Sequence, residues 1–373
     1  MLRRVVDAWR VLRPRAIAQT HKRVDDLHGE FRELRDELRD IGLALKELRD
    51  QDALISARQE QGFSSVRQQL GSAFDEVKAS VARLALKESQ LRAISRRDIE
   101  LESAEASLAS VMCDAEVCAH VDRQIAGALI NDDPLPHAVI DRLLPDALYD
   151  ALIRGLPPVE LFNDRLPNKR QLAVPFKLAP AYSRRVWDYM ARTVVERMLT
   201  PAIIDKFKPA VADWVSRSFP TLGENPLDRI RMHASDGRIL LRTRGYVIPP
   251  HRDPKWGFLT CLLYLARPGD SESWGTQFYA VDGDEEARGT APNWIDSRRC
   301  RQVADVTFLP NRALVFLNSR GAHGARIPDD APESLERYAY QFRIGPHSEA
   351  TPGIVAALPL ERRPFWEGRP TGY

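Results

Sequence analysis

The sequence predicts an α+β protein: a long N-terminal α-helical coiled coil, a helical preface, and then an antiparallel β-sandwich or barrel. Three observations predict it. A heptad spacing runs through the first hundred residues, prolines and aromatics arrive together near Asn131, and short strand-length apolar runs without intervening helices follow Leu227. These shifts divide the chain into a helical oligomerisation region, 1–130, and a second domain, 131–373. The second domain has a preface at 131–226, a β core at 227–346 and a tail at 347–373.

The bulk numbers fit this division. The 373 residues suffice for about two domains, and 44% apolar residues is an ordinary globular share. A net charge of +2 gives no global reason to bind nucleic acid. Four scattered cysteines (Cys113, Cys118, Cys261, Cys300) make neither a disulfide framework nor a zinc motif. The first residues lack a continuous apolar core and a small-residue cleavage site, and no run approaches the ~20 residues of a membrane span. The expectation is a reduced, cytoplasmic protein.

The rod comes first. From Val24 the apolar residues fall at Val24, Leu27, Phe31, Leu34, Leu38, Ile41, Leu45 and Leu48, alternating steps of three and four. The residues between are mostly charged, as in GEFRELRDELRD. So narrow a seam asks for a partner helix rather than a domain surface, and a homo-oligomer is expected. The pattern breaks over Asp52–Gly62 and resumes in a new frame at Phe63, Val66, Leu70, Ala73 and Val77, then Leu84, Leu91 and Ile94. A stutter in one long rod and a folded-back hairpin both fit. Ahead of the rod, Leu2, Val5, Val6, Trp9 and Leu12 share one helical face among five arginines. Residues 1–15 could therefore lie on an anionic membrane surface, at the inner face of a membrane, or dock on the rod.

In the second domain His137 to Ile140 reads as a short strand, a helix starts after Pro145, and helices continue to about Val215. Strands are expected at Arg238–Val247, Leu259–Ala266, Thr276–Val281, Val303–Leu309, Ala313–Asn318 and Arg337–Ile344. His-x-Asp occurs twice. His120-Val121-Asp122 sits in a helical stretch, where i and i+2 point far apart, so it is read as chance. His251-Arg252-Asp253 follows a strand-like segment, where i and i+2 share a face. His323, after a buried strand and inside a small-residue loop, offers a third ligand. Two imidazoles and a carboxylate, without thiolate, suit an open non-haem Fe(II) site better than structural zinc. Downstream of His323, Arg337 could hold a carboxylate bidentately. Arg343 and Arg326 are rivals for that role. Arg242 and Arg244 alternate with apolar neighbours and could face the pocket and meet an anionic substrate; a solvated face is the favoured reading.

The segment from about Asp133 to Pro346 resembles the Fe(II)- and 2-oxoglutarate-dependent oxygenases, in particular their prolyl-hydroxylase-like members. The resemblance rests on the ordered pieces DPLPHAVIDRLLPDALYDAL, PPHRD with LLYLA, WGTQFY, LVFLNSRGAHGA and LERYAYQF. It implies a double-stranded β-helix, or jelly roll, with His251, Asp253 and His323 as iron ligands and Arg337 on the distal carboxylate of 2-oxoglutarate. Many members carry Ser or Thr two residues after that arginine. Here it is Ala339, so a second hydrogen bond would come from Tyr264 or Thr260. The implied reaction uses O2 to hydroxylate a C–H bond while 2-oxoglutarate becomes succinate and CO2. The loops expected to wall the pocket, Asp270–Trp274, Asp282–Arg299 and Asn163–Pro175, are polar. They suit a polar small molecule, a carbohydrate such as a nucleotide-linked sugar, or a peptide side chain. The alternative is a coiled-coil scaffold carrying a non-catalytic or cupin-like metal-binding barrel.

Overall fold

The computed structural model describes residues 2–55, 63–166, 169–173, 178–222, 227, 230–286 and 288–367. The chain divides into two compact units, Met1–Arg92 and Ala93–Tyr373.

In the first unit, helix α1 (Leu2–Ile55) carries the heptad seam, and helix α2 (Phe63–Glu105) begins. Leu34, Ile41, Leu45 and Leu48 are half-buried along α1, while Phe31 is 53% and Leu38 46% exposed. The side chains of residues 1–15 and of Val24, and the segment 56–62 containing most of the frame change, lie outside the described residues. Among the described residues no helix is long and apolar enough to cross a membrane.

The second unit starts earlier than the composition suggested. The seam stops where Ile94 is fully covered, and from there α2 belongs to a globular core. Arg97 donates to the Arg154 carbonyl at 2.7 Å, and Asp98 accepts the Ala181 amide at 2.6 Å. Leu101, Leu108, Val117, Val121 and Ile125 are buried in the main core. Residues 93–130, assigned by composition to the rod, therefore pack with the β domain. Helices α3 (Leu108–Val111) and α4 (Asp114–Gly127) complete this part. On α4, His120 reaches the Arg142 carbonyl at 2.8 Å while Asp122 accepts from Cys118, so the first His-x-Asp shares no site.

Strand β1 (His137–Ile140) and helix α5 (Asp146–Arg154) follow as the sequence predicts. The hairpin β2 (Asn163–Leu166) and β3 (Lys169–Ala173) interrupts the expected helical run. Helix α6 (Ala181–Tyr189), a π-helical stretch Met190–Leu199 and helix α7 (Thr200–Ser218) then lead into the strands. These are β4 (Met232–Arg242), β5 (Val247–Arg252), β6 (Leu259–Tyr264), β7 (Thr276–Val281), β8 (Asn293–Trp294), β9 (Cys300–Val306), β10 (Ala313–Leu317), β11 (Ala322–Arg326) and β12 (Arg337–Pro346), with α8 (Thr351–Ala356) after them.

The strands form two antiparallel sheets, ordered β1-β10-β6-β12-β4-β3-β2 and β8-β5-β11-β7-β9. Over β4–β7 and again over β9–β12 consecutive strands alternate between the two sheets, as in a jelly roll. Strand β12 is buried along its whole length because both faces are covered. One face (Tyr338, Tyr340, Phe342, Ile344) packs in the helical core with Trp187, Val194 and Phe207. On the other face Ala339 joins Tyr264, Phe278, Phe308 and Phe316 between the sheets. The remaining residues of that inner face are polar, and they line the site.

One expected strand differs. Arg238–Val247 is not continuous: β4 ends at Arg242, the chain turns at Gly245 (φ +72°), and β5 begins at Val247. The Pro249-Pro250 pair hid β5. Prolines donate nothing to a ladder, and the β5–β11 register shifts there, from His323↔His251 to Ala325↔Ile248.

Candidate metal centre

The β5–β11 ladder sets His251 directly opposite His323, with ring centroids 4.2 Å apart. His323 lies within strand β11 itself rather than in a loop. The expectation of small neighbours holds for Gly324, where a Cβ would stand 2.8 Å from the Ile248 carbonyl oxygen. Asp253, just past the end of β5, faces both rings. Its Oδ1 is 4.0 Å from His251 Nε2 and its Oδ2 is 3.8 Å from His323 Nε2. One ligand atom from each residue can be chosen so that all lie within 4.8 Å of one another, and all three residues are buried. Two donors on one ion at bond lengths of about 2.1 Å lie roughly 3–4 Å apart, so the set needs to contract by only about 1 Å. His251 Nδ1 is 2.9 Å from the Pro249 carbonyl, which fixes the tautomer with Nε2 as the free donor. The donors fit a divalent metal.

The electrostatics keep the set ready for a cation. Burial pushes both imidazoles down, His323 to about 3 with His251 beside it, so both rings are neutral and can donate lone pairs. Burial alone would raise the Asp253 carboxyl. The Arg343 guanidinium, the two histidines and the Thr260 hydroxyl outweigh it and hold the group well below the usual carboxylate range. Arg343 Nη2 is 3.2 Å from Oδ1, and Thr260 Oγ1 donates to Oδ2 at 2.6 Å. Asn318 Nδ2 also donates to the Asp253 carbonyl at 2.7 Å. Gly257 leaves room for the Arg343 stem, since a Cβ there would strike Arg343 Cδ.

These contacts sort the candidate arginines. Arg343 and Thr260 are opposite each other on β12 and β6, and both serve Asp253. Thr260 is therefore not beside Arg337, where the sequence reading put it. Arg326 is exposed at the end of β11. Arg337 is buried in the pocket that holds the three ligands. Its Cζ lies 4.4 Å from the Phe308 ring centroid and 5.5 Å from that of Tyr264, and its Nε donates to the Trp274 carbonyl. Tyr264 also lines the pocket, with its hydroxyl donating to Thr276 Oγ1 at 2.7 Å.

Lys169, Gln171 and Gln341, which the sequence reading did not name, line the same pocket, and so does Arg242, for which the sequence reading favoured a solvated face. Arg242 is buried, not solvated; only Arg244 is exposed, paired with Glu333 at 3.0 Å. The spacing of Arg238, Leu240 and Arg242, and of Arg337, Ala339 and Gln341, is the period-two signal that carried this information. Of the loops expected to wall the pocket, 163–175 contributes Lys169 and Gln171 from β3, with 167–168 and 174–177 outside the described residues. Among the described residues, neither Asp270–Trp274 nor Asp282–Arg299 contributes a lining residue.

No family model and no curated protein matches the sequence. Solved structures do. A prolyl-4-hydroxylase from Pseudomonas putida aligns with 62% of this chain and 98% of its own, at 16% identity and TM-score 0.32. HygX from Streptomyces hygroscopicus, solved with nickel, 2-oxoglutarate and hygromycin B, aligns with 56% of this chain and 82% of its own, at 17% identity and TM-score 0.35. The epimerase SnoN, in complex with Fe3+, α-ketoglutarate and nogalamycin RO, aligns with 62% and 85%, at 13% identity and TM-score 0.37. At that distance a likeness carries no argument about chemistry, and the site is read from its own residues.

Proposed function

We propose that Ala93–Tyr373 is an Fe(II)- and 2-oxoglutarate-dependent oxygenase. It hydroxylates a C–H bond of a polar small molecule, carbohydrate or peptide side chain and releases succinate and CO2. One observation carries this reading: a buried His251–Asp253–His323 donor set shares a pocket with the buried guanidinium of Arg337. Two neutral imidazoles and one carboxylate leave positions open on an iron. A cation across the same pocket suits a dicarboxylate cosubstrate.

With iron, 2-oxoglutarate and O2 bound, the metal supplies the oxidising chemistry. The chain's residues do the rest. His251, Asp253 and His323 hold the metal, and Thr260 and Arg343 keep Asp253 ionised and aimed. Arg337, flanked by Phe308 and Tyr264, meets the distal carboxylate where surrounding apolar groups strengthen the pairing. Tyr264 lies on the strand next to Ala339, and its hydroxyl donates to Thr276, which lines the same pocket. The rod's open seam supports pairing with a second copy of the chain, and the composition supports a cytoplasmic setting.

The test is calorimetric titration of 2-oxoglutarate into Mn(II)-loaded, full-length protein. Metal-dependent binding that Arg337→Gln weakens at least tenfold supports the reading. Binding indifferent to metal, or to Arg337, contradicts it.

A further inference from the structure

The β5–β11 ladder stops at the metal ligands. Its last register pair is His323↔His251, and carrying it two residues further would set Gly321 opposite Asp253. Asp253 instead lies past the end of β5, and its carboxylate turns to the two imidazoles. Two other side chains take the place of that rung. Arg252 sits between the ligands His251 and Asp253 and, by the alternation of extended chain, points to the other side of the strand from His251. Its Nε donates to the Gly321 carbonyl at 2.8 Å and its Nη1 to the Glu285 carbonyl at 3.3 Å, while its Nη2 pairs with Oδ1 of Asp284. Oδ2 of Asp284 accepts the Gly321 amide at 2.8 Å. Gly321 is thus held at both its amide and its carbonyl, two residues before His323.

The clamp ties the strand that carries two of the ligands to the turn that delivers the third. It is shielded: the Arg252 and Asp284 side chains are 12% and 24% exposed, so water and salt screen the pair less than one on the open surface. A positive charge on the residue between two ligands would oppose a bound cation, and Asp284 offsets it. The segment Asp282–Arg299, expected from the sequence to wall the pocket, contributes Asp284 to this clamp instead. We propose that Arg252 and Asp284 are positioning residues for the metal centre, setting the separation between His323 and the His251–Asp253 pair. They act through the backbone that carries the ligands. Groups that orient metal ligands from behind govern affinity through geometry, and losing one costs about 10–100-fold.

The experiment titrates the full-length protein with Co(II), whose visible ligand-field bands report donor geometry as well as binding. Arg252→Gln removes the bond to the Gly321 carbonyl. Asp284→Asn is isosteric, keeps an acceptor for the Gly321 amide and removes the ion pair, so it decides the matter even where Arg252→Gln fails to fold. Each variant, shown to unfold cooperatively, should bind Co(II) at least tenfold more weakly than wild type and with shifted bands. The double variant should bind no more weakly than the more affected single one, since both cut one linkage. Glu286→Gln should match wild type in affinity and bands, because Glu286 fastens the same segment to Lys255 and Arg362, at 3.3 and 3.1 Å, rather than to Gly321. Unchanged affinity and bands in folded Asp284→Asn, effects that multiply in the double variant, or an equal effect in Glu286→Gln would overturn the proposal, leaving the pair a fastening of the loop. The inference rests on the metal-binding part of the oxygenase reading. If the wild type binds no Co(II), that reading falls and the clamp with it; Co(II) binding that neither variant disturbs sinks the clamp alone.

Discussion

Replacing Arg343 by methionine keeps most of the stem packed against Gly257 and removes only the charge beside Asp253. Both partners are buried, with side chains 2% and 1% exposed, and they approach to 3.2 Å. At an effective dielectric of 20, unit charges that close attract by about 5 kcal/mol. Breaking one side of a buried pair costs about 3–5 kcal/mol, because the stranded carboxylate keeps its desolvation penalty. Asp253 can relieve part of this by taking a proton, so the metal-free variant should lose about 3–5 kcal/mol in urea unfolding with chelator present. A divalent ion then replaces the missing positive charge. Saturating Mn(II) should therefore shrink the deficit, and Arg343→Met should bind Mn(II) more tightly than wild type, since a like charge beside the ion is gone. Asp253→Asn added to Arg343→Met should recover stability in the metal-free protein. The reasoning is refuted if metal-free Arg343→Met unfolds within about 1 kcal/mol of wild type, or if the two substitutions simply add.

Other outcomes follow from the same geometry. His323→Ala should bind Mn(II) at least about 100-fold more weakly by equilibrium dialysis while keeping a cooperative unfolding transition, since one of three donors is lost. Arg337→Gln should raise the 2-oxoglutarate requirement and leave metal affinity within a few-fold, the reverse of the Arg343 pattern; equal effects of the two would merge their roles. Asn311 sits at φ +57° and trades two hydrogen bonds with the backbone of Leu144, at 3.0 and 2.7 Å. Asn311→Ala should therefore cost about 2–4 kcal/mol by denaturant unfolding, through two lost bonds and a strained backbone. Leu34→Asp with Ile41→Asp should reduce the mass of the full-length protein in light scattering to that of one chain; an unchanged mass would remove the rod from any role in assembly.

The sequence was most legible where local pattern and long-range packing agree. His137–Ile140 and Thr276–Val281 form strands with the predicted ends, because each is a bounded apolar run. His251 and Asp253 could be singled out because extended chain puts i and i+2 on one side. Other features depend on contacts that no local pattern encodes. The end of the rod was misplaced because residues 93–130 stay helical and only their burial changes. The β2–β3 hairpin was missed because DRLPNKRQLA carries no apolar alternation; β3 is held by pairing with β4, and β2 by pairing with β3. Thr260 was offered, as an alternative to Tyr264, for a hydrogen bond beside Arg337 because both lie on the strand expected next to that arginine. The Arg343↔Thr260 register puts it on Asp253 instead. Arg242 looked solvated because charge alone does not reveal which side of a strand is enclosed.

The most direct measurement is an anaerobic optical titration of the full-length protein with Fe(II) and then 2-oxoglutarate, with His251→Ala as control. A visible charge-transfer band from the chelated keto acid, present in wild type and absent in His251→Ala, is the result expected of a metal held by His251, Asp253 and His323 in reach of Arg337. Iron binding without such a band would make the barrel a cupin-like metal protein, and a band that persists in His251→Ala would contradict the assignment of the site.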